Sequence, residues 1–158
     1  MVSASKILNL ARLHRKIAAL PDVAKREIMK PLEVAADDIV RMAKSLVPVL
    51  KEPDARRRAG ALRDSIGWTW GKVPKGAATL GKVAASQLGG ELTITIYAGS
   101  RDKDRGIDDA FYARWVEFGT QHMQAQPYFF PSYRANKKAA SRGVRAGIRK
   151  AAKAVATS

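Results

Sequence analysis

The chain has 158 residues, 46% of them hydrophobic, enough for one domain with a modest core. It contains no cysteine, which excludes disulfide scaffolds, Cys-ligated zinc and thiol nucleophiles, and its longest apolar runs are too short to cross a bilayer, so no membrane association is expected. A formal charge of +15 says nothing about fold but favours nucleic acid, anionic surfaces or acidic proteins as partners.

Ile7, Leu10, Leu13, Ile17 and Leu20 recur every three or four residues and predict a helix over residues 1–21. Lys6, Arg12, Arg15 and Lys16, with no acid among them, would also suit a transit peptide; the helical spacing favours a structural helix. Pro21 breaks the pattern and Asp22 can cap the next helix. Ile28, Leu32, Ala35, Ile39, Met42 and Leu46 form a second amphipathic seam, predicting a long helix over residues 22–48. Pro31 falls inside it, either kinking one helix or opening a second.

Residues 51–58, with Pro53 and three consecutive arginines, read as an exposed connector. Ile66, Trp68 and Trp70 alternate, predicting a strand within residues 62–70. Leu92, Ile94 and Ile96 alternate with Thr93, Thr95 and Tyr97, predicting a strand with one buried and one wetter face. The two form a hairpin over residues 62–99, joined by a long Gly-, Ala- and Lys-rich loop at 71–90. Residues 101–109 make a charged loop, and residues 110–118 a short helix stopped by Gly119. A last helix over residues 131–156 carries Ala140, Val144, Ile148, Ala151 and Val155 as its apolar stripe; Gly143 and Gly147 weaken it, so packing must hold it. The whole is a single α+β domain, a small antiparallel sheet packed by N-terminal and C-terminal helices.

Catalytic and metal-binding constellations are sparse. Residues 76–82 match P-loop spacing through Lys82, but Val83 stands where a magnesium-binding hydroxyl is required. His14 and His122 lack carboxylate or nucleophile companions at recognisable spacing. Asp37-Asp38 and Asp108-Asp109 are adjacent pairs, which suit helix-start electrostatics better than a shared metal. No catalytic residue, cofactor or metal is assigned, and the chain is expected not to be an enzyme. After Glu117 no acid occurs, while Arg134, Lys137, Lys138, Arg142, Arg145 and Arg149 come later in the chain. This basic run is either a solvated helix face or a surface that meets DNA.

Four stretches in order carry a resemblance. Ala43-Lys44-Ser45-Leu46-Val47-Pro48 ends the long helix, and Gly60-Ala61-Leu62-Arg63-Asp64-Ser65-Ile66 comes after it. Later come Tyr112-Ala113-Arg114-Trp115-Val116-Glu117-Phe118-Gly119-Thr120 and Gln126-Pro127-Tyr128-Phe129-Phe130-Pro131. The set, spanning roughly residues 35–140, resembles the siphophage tail-completion family, the gene-10-product type of head–tail joining or neck protein. The connector at residues 52–60 and the basic loop at 71–90 are longer than that family's pattern.

The resemblance implies a structural protein of a tailed bacteriophage, made in the bacterial cytoplasm and carried in the virion at the head–tail junction. There it would form a homo-oligomeric ring, a hexamer, on the tail tube protein, terminating the tube or joining it to the head connector; separately, the chain's own basic face would make a weak contact with packaged DNA. Trp115, Glu117, Phe118, Gly119, Thr120, Tyr128, Phe129 and Phe130 are the candidate interface residues. Within that set Trp115 and Phe118 could instead seal the core, and Gly119 acts through backbone geometry. Glu117 could accept amide hydrogen bonds at the start of the last helix, or pair with an arginine of a neighbouring subunit. The alternative from another class is a non-specific nucleic-acid-binding basic protein, although no helix-turn-helix, zinc or RNA-binding signature is present.

Overall fold

The computed structural model describes residues 22–49, 59–74, 77–84, 92–99 and 112–156. The expected helix over residues 1–21, the connector at 51–58 and the loop at 101–109 lie outside the described residues, as do His14 and Asp108-Asp109.

Helix α1, Asp22–Leu46, is one 25-residue helix that continues through Pro31. It is the central element, with the sheet on one side and the last helix on the other. Burial on two sides explains why Leu32, Ala36, Ile39 and Ala43 are all completely enclosed. Met42 and Leu46, expected in its seam, are instead exposed, while their neighbours Ala43 and Val47 are buried, so the inward face lies one residue on from the expected one. Pro31 cannot donate to the carbonyl of Glu27, four residues back. Here Gly147 of the last helix comes so close that a Cβ on it would lie 3.0 Å from the Glu27 carbonyl oxygen and 2.5 Å from Pro31 Cγ. The proline of one helix and the bare glycine of the other therefore occupy the same crossing.

Residues 62–70 do not form one continuous strand. Gly60, at φ 81°, opens a short helix α2, Ala61–Ser65, and strand β1 covers only Gly67–Trp70. The buried Ser65 hydroxyl explains the turn: it donates to the Leu62 carbonyl at 2.7 Å and accepts from Gly99 N at 3.0 Å. That ties α2 to the far end of the central strand.

The expected 71–90 loop contains a third strand. Strand β2, Ala78–Ala84, pairs antiparallel with β3, Thr93–Ala98, which pairs antiparallel with β1, so the order is β1-β3-β2. A simple hairpin is thus replaced by a sheet in which β1 and β2 are parallel edges. The link from Trp70, opposite Ile94, must return the length of β3 to begin β2 at Ala78, opposite Ala98. It turns onto the threonine face at Gly71 (φ 75°), whose carbonyl accepts from the Thr95 hydroxyl at 3.2 Å. This is why Thr93 and Thr95, expected on a wetter face, are buried. Ile94 and Ile96 face the helices with Trp68 and Trp70 beside them, and Trp68 Nε1 donates to Asp37 Oδ1 on α1 at 2.7 Å.

Helix α3, Ala113–Phe118, is shorter than expected, and helix α4, Phe129–Ala156, starts two residues before Pro131. Against α1 it presents Ser132, Ala140, Gly143, Val144, Gly147 and Ala151. Ile148, expected in the stripe, is exposed: the glycine pair rotates the contact face by about one residue to bring the backbones together. At the rim Glu27 meets Lys150 at 2.7 Å and Lys30 at 3.1 Å. Hydrogen bonding to Lys150, then to Lys30, holds the Glu27 carboxyl below the ordinary value of 4.5. A carboxyl lowered by folding contributes stability above its unfolded pKa and loses it as pH falls through the folded one. Acid titration below about pH 4.5 should therefore cost the wild type more stability than Glu27→Gln, measured as urea midpoints against pH.

Candidate functional site

The two aromatic-rich stretches singled out by sequence meet in space. Helix α3 ends at Gly119, whose N–H donates to the Trp115 carbonyl at 2.8 Å and whose backbone sits at φ 75°, ψ 178°. A Cβ there would meet Met123 O and Ala125 N, each at 2.9 Å, so both the conformation and the space demand glycine. The chain then makes a tight exposed turn: Thr120 N donates to Met123 O at 2.9 Å, and His122 N donates to the Thr120 hydroxyl at 3.2 Å. Gln126 N returns to the Val116 carbonyl at 2.8 Å. The segment closes back on the helix it left.

That closure delivers the first turn of α4 to Glu117. Its carboxylate is 3% exposed; Oε2 accepts from Tyr128 N at 2.8 Å and Phe129 N at 2.9 Å, and Oε1 accepts from Phe130 N at 3.0 Å. A helix leaves four N–H groups without intrahelical partners at its start. Here three are taken by one carboxylate and the fourth position is Pro131, which has no N–H to satisfy. Every donor at this helix end is accounted for, and the negative charge sits where the helix dipole favours it. Tyr128 Oη donates to the Ala113 carbonyl at 3.3 Å, and Ser132 Oγ donates to the Tyr128 carbonyl at 2.6 Å. Burial, with Glu117 nearby as a smaller cause, pushes the Tyr128 hydroxyl well above its ordinary value.

The eight candidate interface residues thus divide. Glu117, Tyr128 and Phe129 are buried within the chain, Gly119 shapes the backbone, and Thr120 sits on the exposed turn. Trp115, Phe118 and Phe130 are 48%, 60% and 38% exposed, too much to serve as core. The Phe118 and Phe130 rings lie 5.9 Å apart, and Phe130 stands edge-on to Phe129 at 5.4 Å, so a ladder of rings runs from the core to the surface. Phe118 and Phe130 line an open cleft with Arg114 and residues 77–80, at the start of edge strand β2.

Phe129 also explains Gly81, a position the sequence marked only as a nucleotide-binding near-miss. The Phe129 ring lies over β2 where a Cβ on Gly81 would be 2.4 Å from its Cζ. Gly81 and Lys82 lie within a strand rather than at a strand-to-helix turn, so the phosphate-loop reading has no structural basis. Gly81→Ala is expected to destabilise by about 1–2 kcal/mol through overpacking against this ring, read in equilibrium urea unfolding. Nothing in the sequence paired Gly81 with Phe129, which lies 48 residues further on.

Arg134, Lys137, Lys138, Arg142, Arg145 and Arg149 all lie on α4 and all are exposed, Lys137 standing to one side of the line the other five make. Among the described residues no cluster of His, Asp and Glu is placed to hold a metal ion, and no helix is long and apolar enough to cross a membrane.

What the fold and this region define is a small α+β protein with a tightly clasped interior and an aromatic surface at one sheet edge. The family described as "Bacteriophage HK97-gp10, putative tail-component" matches residues 11–119, more than half of the chain, and the chain belongs to it. It is a structural component of a bacteriophage tail, and its place is the virion. No curated protein and no solved structure matches the chain. The family match ends at Gly119, so the Tyr128-Phe129-Phe130-Pro131 stretch that Glu117 clasps lies beyond it.

Proposed function

We propose that this tail component forms a homo-oligomeric ring at the head–tail junction, completing the tail tube and joining it to the head connector, with no substrate turned over. The observation that carries this reading is the exposed aromatic surface of Phe118 and Phe130 beside β2, an edge strand among the described residues, with exposed Trp115 on the same short helix as Phe118. Exposed aromatic groups of this density are the anchors of protein–protein contacts. A cyclic ring needs two different surfaces on each subunit, one for each neighbour. Among the described residues the two sheet edges differ, only that of β2 being flanked by the Phe118–Phe130 cleft, which supports that asymmetry. Sixfold symmetry is the ring that the resemblance to tail-completion proteins implies.

Electron microscopy of particles made without the protein tests the reading. Filled heads separate from overlong or unfinished tails are expected; normally joined virions would sink it. Phe118→Ser should leave the unfolding free energy within about 0.5 kcal/mol of wild type, since the side chain is mostly exposed. The same change should lower subunit association in sedimentation at least about tenfold.

A further inference from the structure

Helix α4 carries eight basic residues and no acid over 28 positions. Helix α1, of similar length, carries five basic and five acidic residues, which include the pairs Glu27–Lys30 and Asp38–Arg41. An ordinary solvated face looks like α1, with signs mixed so that neighbours attract. On α4 they repel. Arg134, Lys138, Arg142, Arg145 and Arg149 succeed one another at spacings of four, four, three and four residues. At 100° per residue they form one stripe, away from the face that Ser132, Gly143, Gly147 and Ala151 press against α1. Like charges one turn apart destabilise a helix, and this helix already carries two glycines. Among the described residues none of the five is paired with an acidic side chain, unlike Lys150 at the rim.

We infer that this stripe is a rail for the phosphate backbone of double-stranded DNA. From Arg134 to Arg149 it runs about 22 Å, with cations roughly every 6 Å along the axis. Such a row of regularly spaced cations suits a line of phosphates, and phosphate contacts carry no sequence information, so binding along it is independent of sequence. Four of the five cations are arginines, whose planar guanidinium grips a phosphate with two hydrogen bonds. Because the rail lies along one face of α4 while the Phe118–Phe130 cleft lies at the edge of β2, DNA and a neighbouring subunit would use different surfaces. DNA binding by this stripe does not depend on the ring.

The test is fluorescence anisotropy of the full chain with a labelled duplex of arbitrary sequence, titrated across salt concentrations. Five phosphate contacts give a slope of log K against log salt of about −4.5, or about 500-fold weaker binding at 200 mM than at 50 mM. Changing Arg134, Lys138, Arg142, Arg145 and Arg149 to Gln should remove nearly all of that binding, and Arg142→Gln alone should reduce the slope by about one. Removing mutual repulsion leaves the helix at least as stable, which circular dichroism checks. A five-fold variant that binds as wild type overturns the inference. So does loss of binding in a comparison variant with Arg56, Arg57 and Arg58 changed to Gln, which would assign the contact to the connector. Equal affinity for polyglutamate overturns it too, pointing to an acidic protein instead. Failure here leaves microscopy of the particles unaffected, and normally joined particles leave the salt slope unaffected.

Discussion

Glu117→Ala is expected to lower stability by about 3–5 kcal/mol, a large part of what a domain this size has in total. The change strands the N–H groups of Tyr128 and Phe129, both buried, and of Phe130, partly buried, at the start of the longest helix. Each stranded buried donor costs about 1–3 kcal/mol. The sum is reduced because water can enter the space the side chain vacates and because a buried carboxylate no longer has to be desolvated. Loss of charge at the positive end of the helix dipole adds to the cost. In thermal unfolding this is a fall of roughly 10 °C.

Glu117→Gln separates geometry from charge. Its amide oxygen can replace Oε2 and keep two bonds, but the NH2 group then faces the Phe130 N–H, donor against donor. A loss of about 1–2 kcal/mol is expected, clearly between wild type and Ala. Hydrogen exchange at Tyr128, Phe129 and Phe130 should accelerate in the Ala variant before the rest of α4 responds. An unchanged midpoint in Glu117→Ala would mean that the carboxylate does not close this helix end. A Glu117 variant should fail in assembly only through folding, so lower temperature rescues it. Phe118→Ser, which alters only the surface, stays defective at every temperature.

How much of this was legible in the sequence depends on whether the signal was local. Helices α1 and α4 were readable because their apolar spacing repeats over about four or five turns, and β3 because Ile94 and Ile96 alternate with threonines. Strand β2 was not. Its Ala-Thr-Leu-Gly-Lys-Val-Ala run has few β-formers, and a bulge between Thr79 and Gly81 breaks the two-residue period that marks a strand. The short helix α2 was masked because Ile66, Trp68 and Trp70 alternate right up to its end, while the Ser65 bond that stops it reaches Gly99, 34 residues away.

The region around Glu117 was found by its residue pattern, yet the same letters fit a surface hinge and an internal clasp equally well. Burial alone distinguishes them. Glu117, Gly119 and the Tyr128-Phe129 pair turn out to be the parts that fold the segment. Trp115, Phe118 and Phe130 are what it shows to the outside. The motif therefore holds two layers of information, and spacing could not assign residues to layers because a side chain's face depends on the turn that Gly119 makes.

Gly147→Leu is expected to destabilise by about 3–4 kcal/mol, whereas Gly143→Ala, one helical turn away, should stabilise by about 0.5–1 kcal/mol. The two glycines look alike in sequence and both lower helix propensity. At Gly143 an added Cβ would lie 3.9 Å from Pro31 Cβ, an ordinary contact, so the gain in propensity is kept. At Gly147 it would lie 2.5 Å from Pro31 Cγ and 3.0 Å from the Glu27 carbonyl oxygen, a rigid ring and a backbone atom that cannot swing away. Relief requires the two helices to separate at their crossing, which opens the core along Ile28, Leu32 and Val144. Gly147→Ala should fall between, its clash outweighing a propensity gain of about 1 kcal/mol. Because Pro31 is the obstacle, Pro31→Ala should soften the penalty at Gly147 and leave the gain at Gly143 unchanged. A double-mutant cycle measured by urea unfolding tests this coupling, and additive effects at Pro31 and Gly147 would show that the crossing is looser than its backbone distances imply.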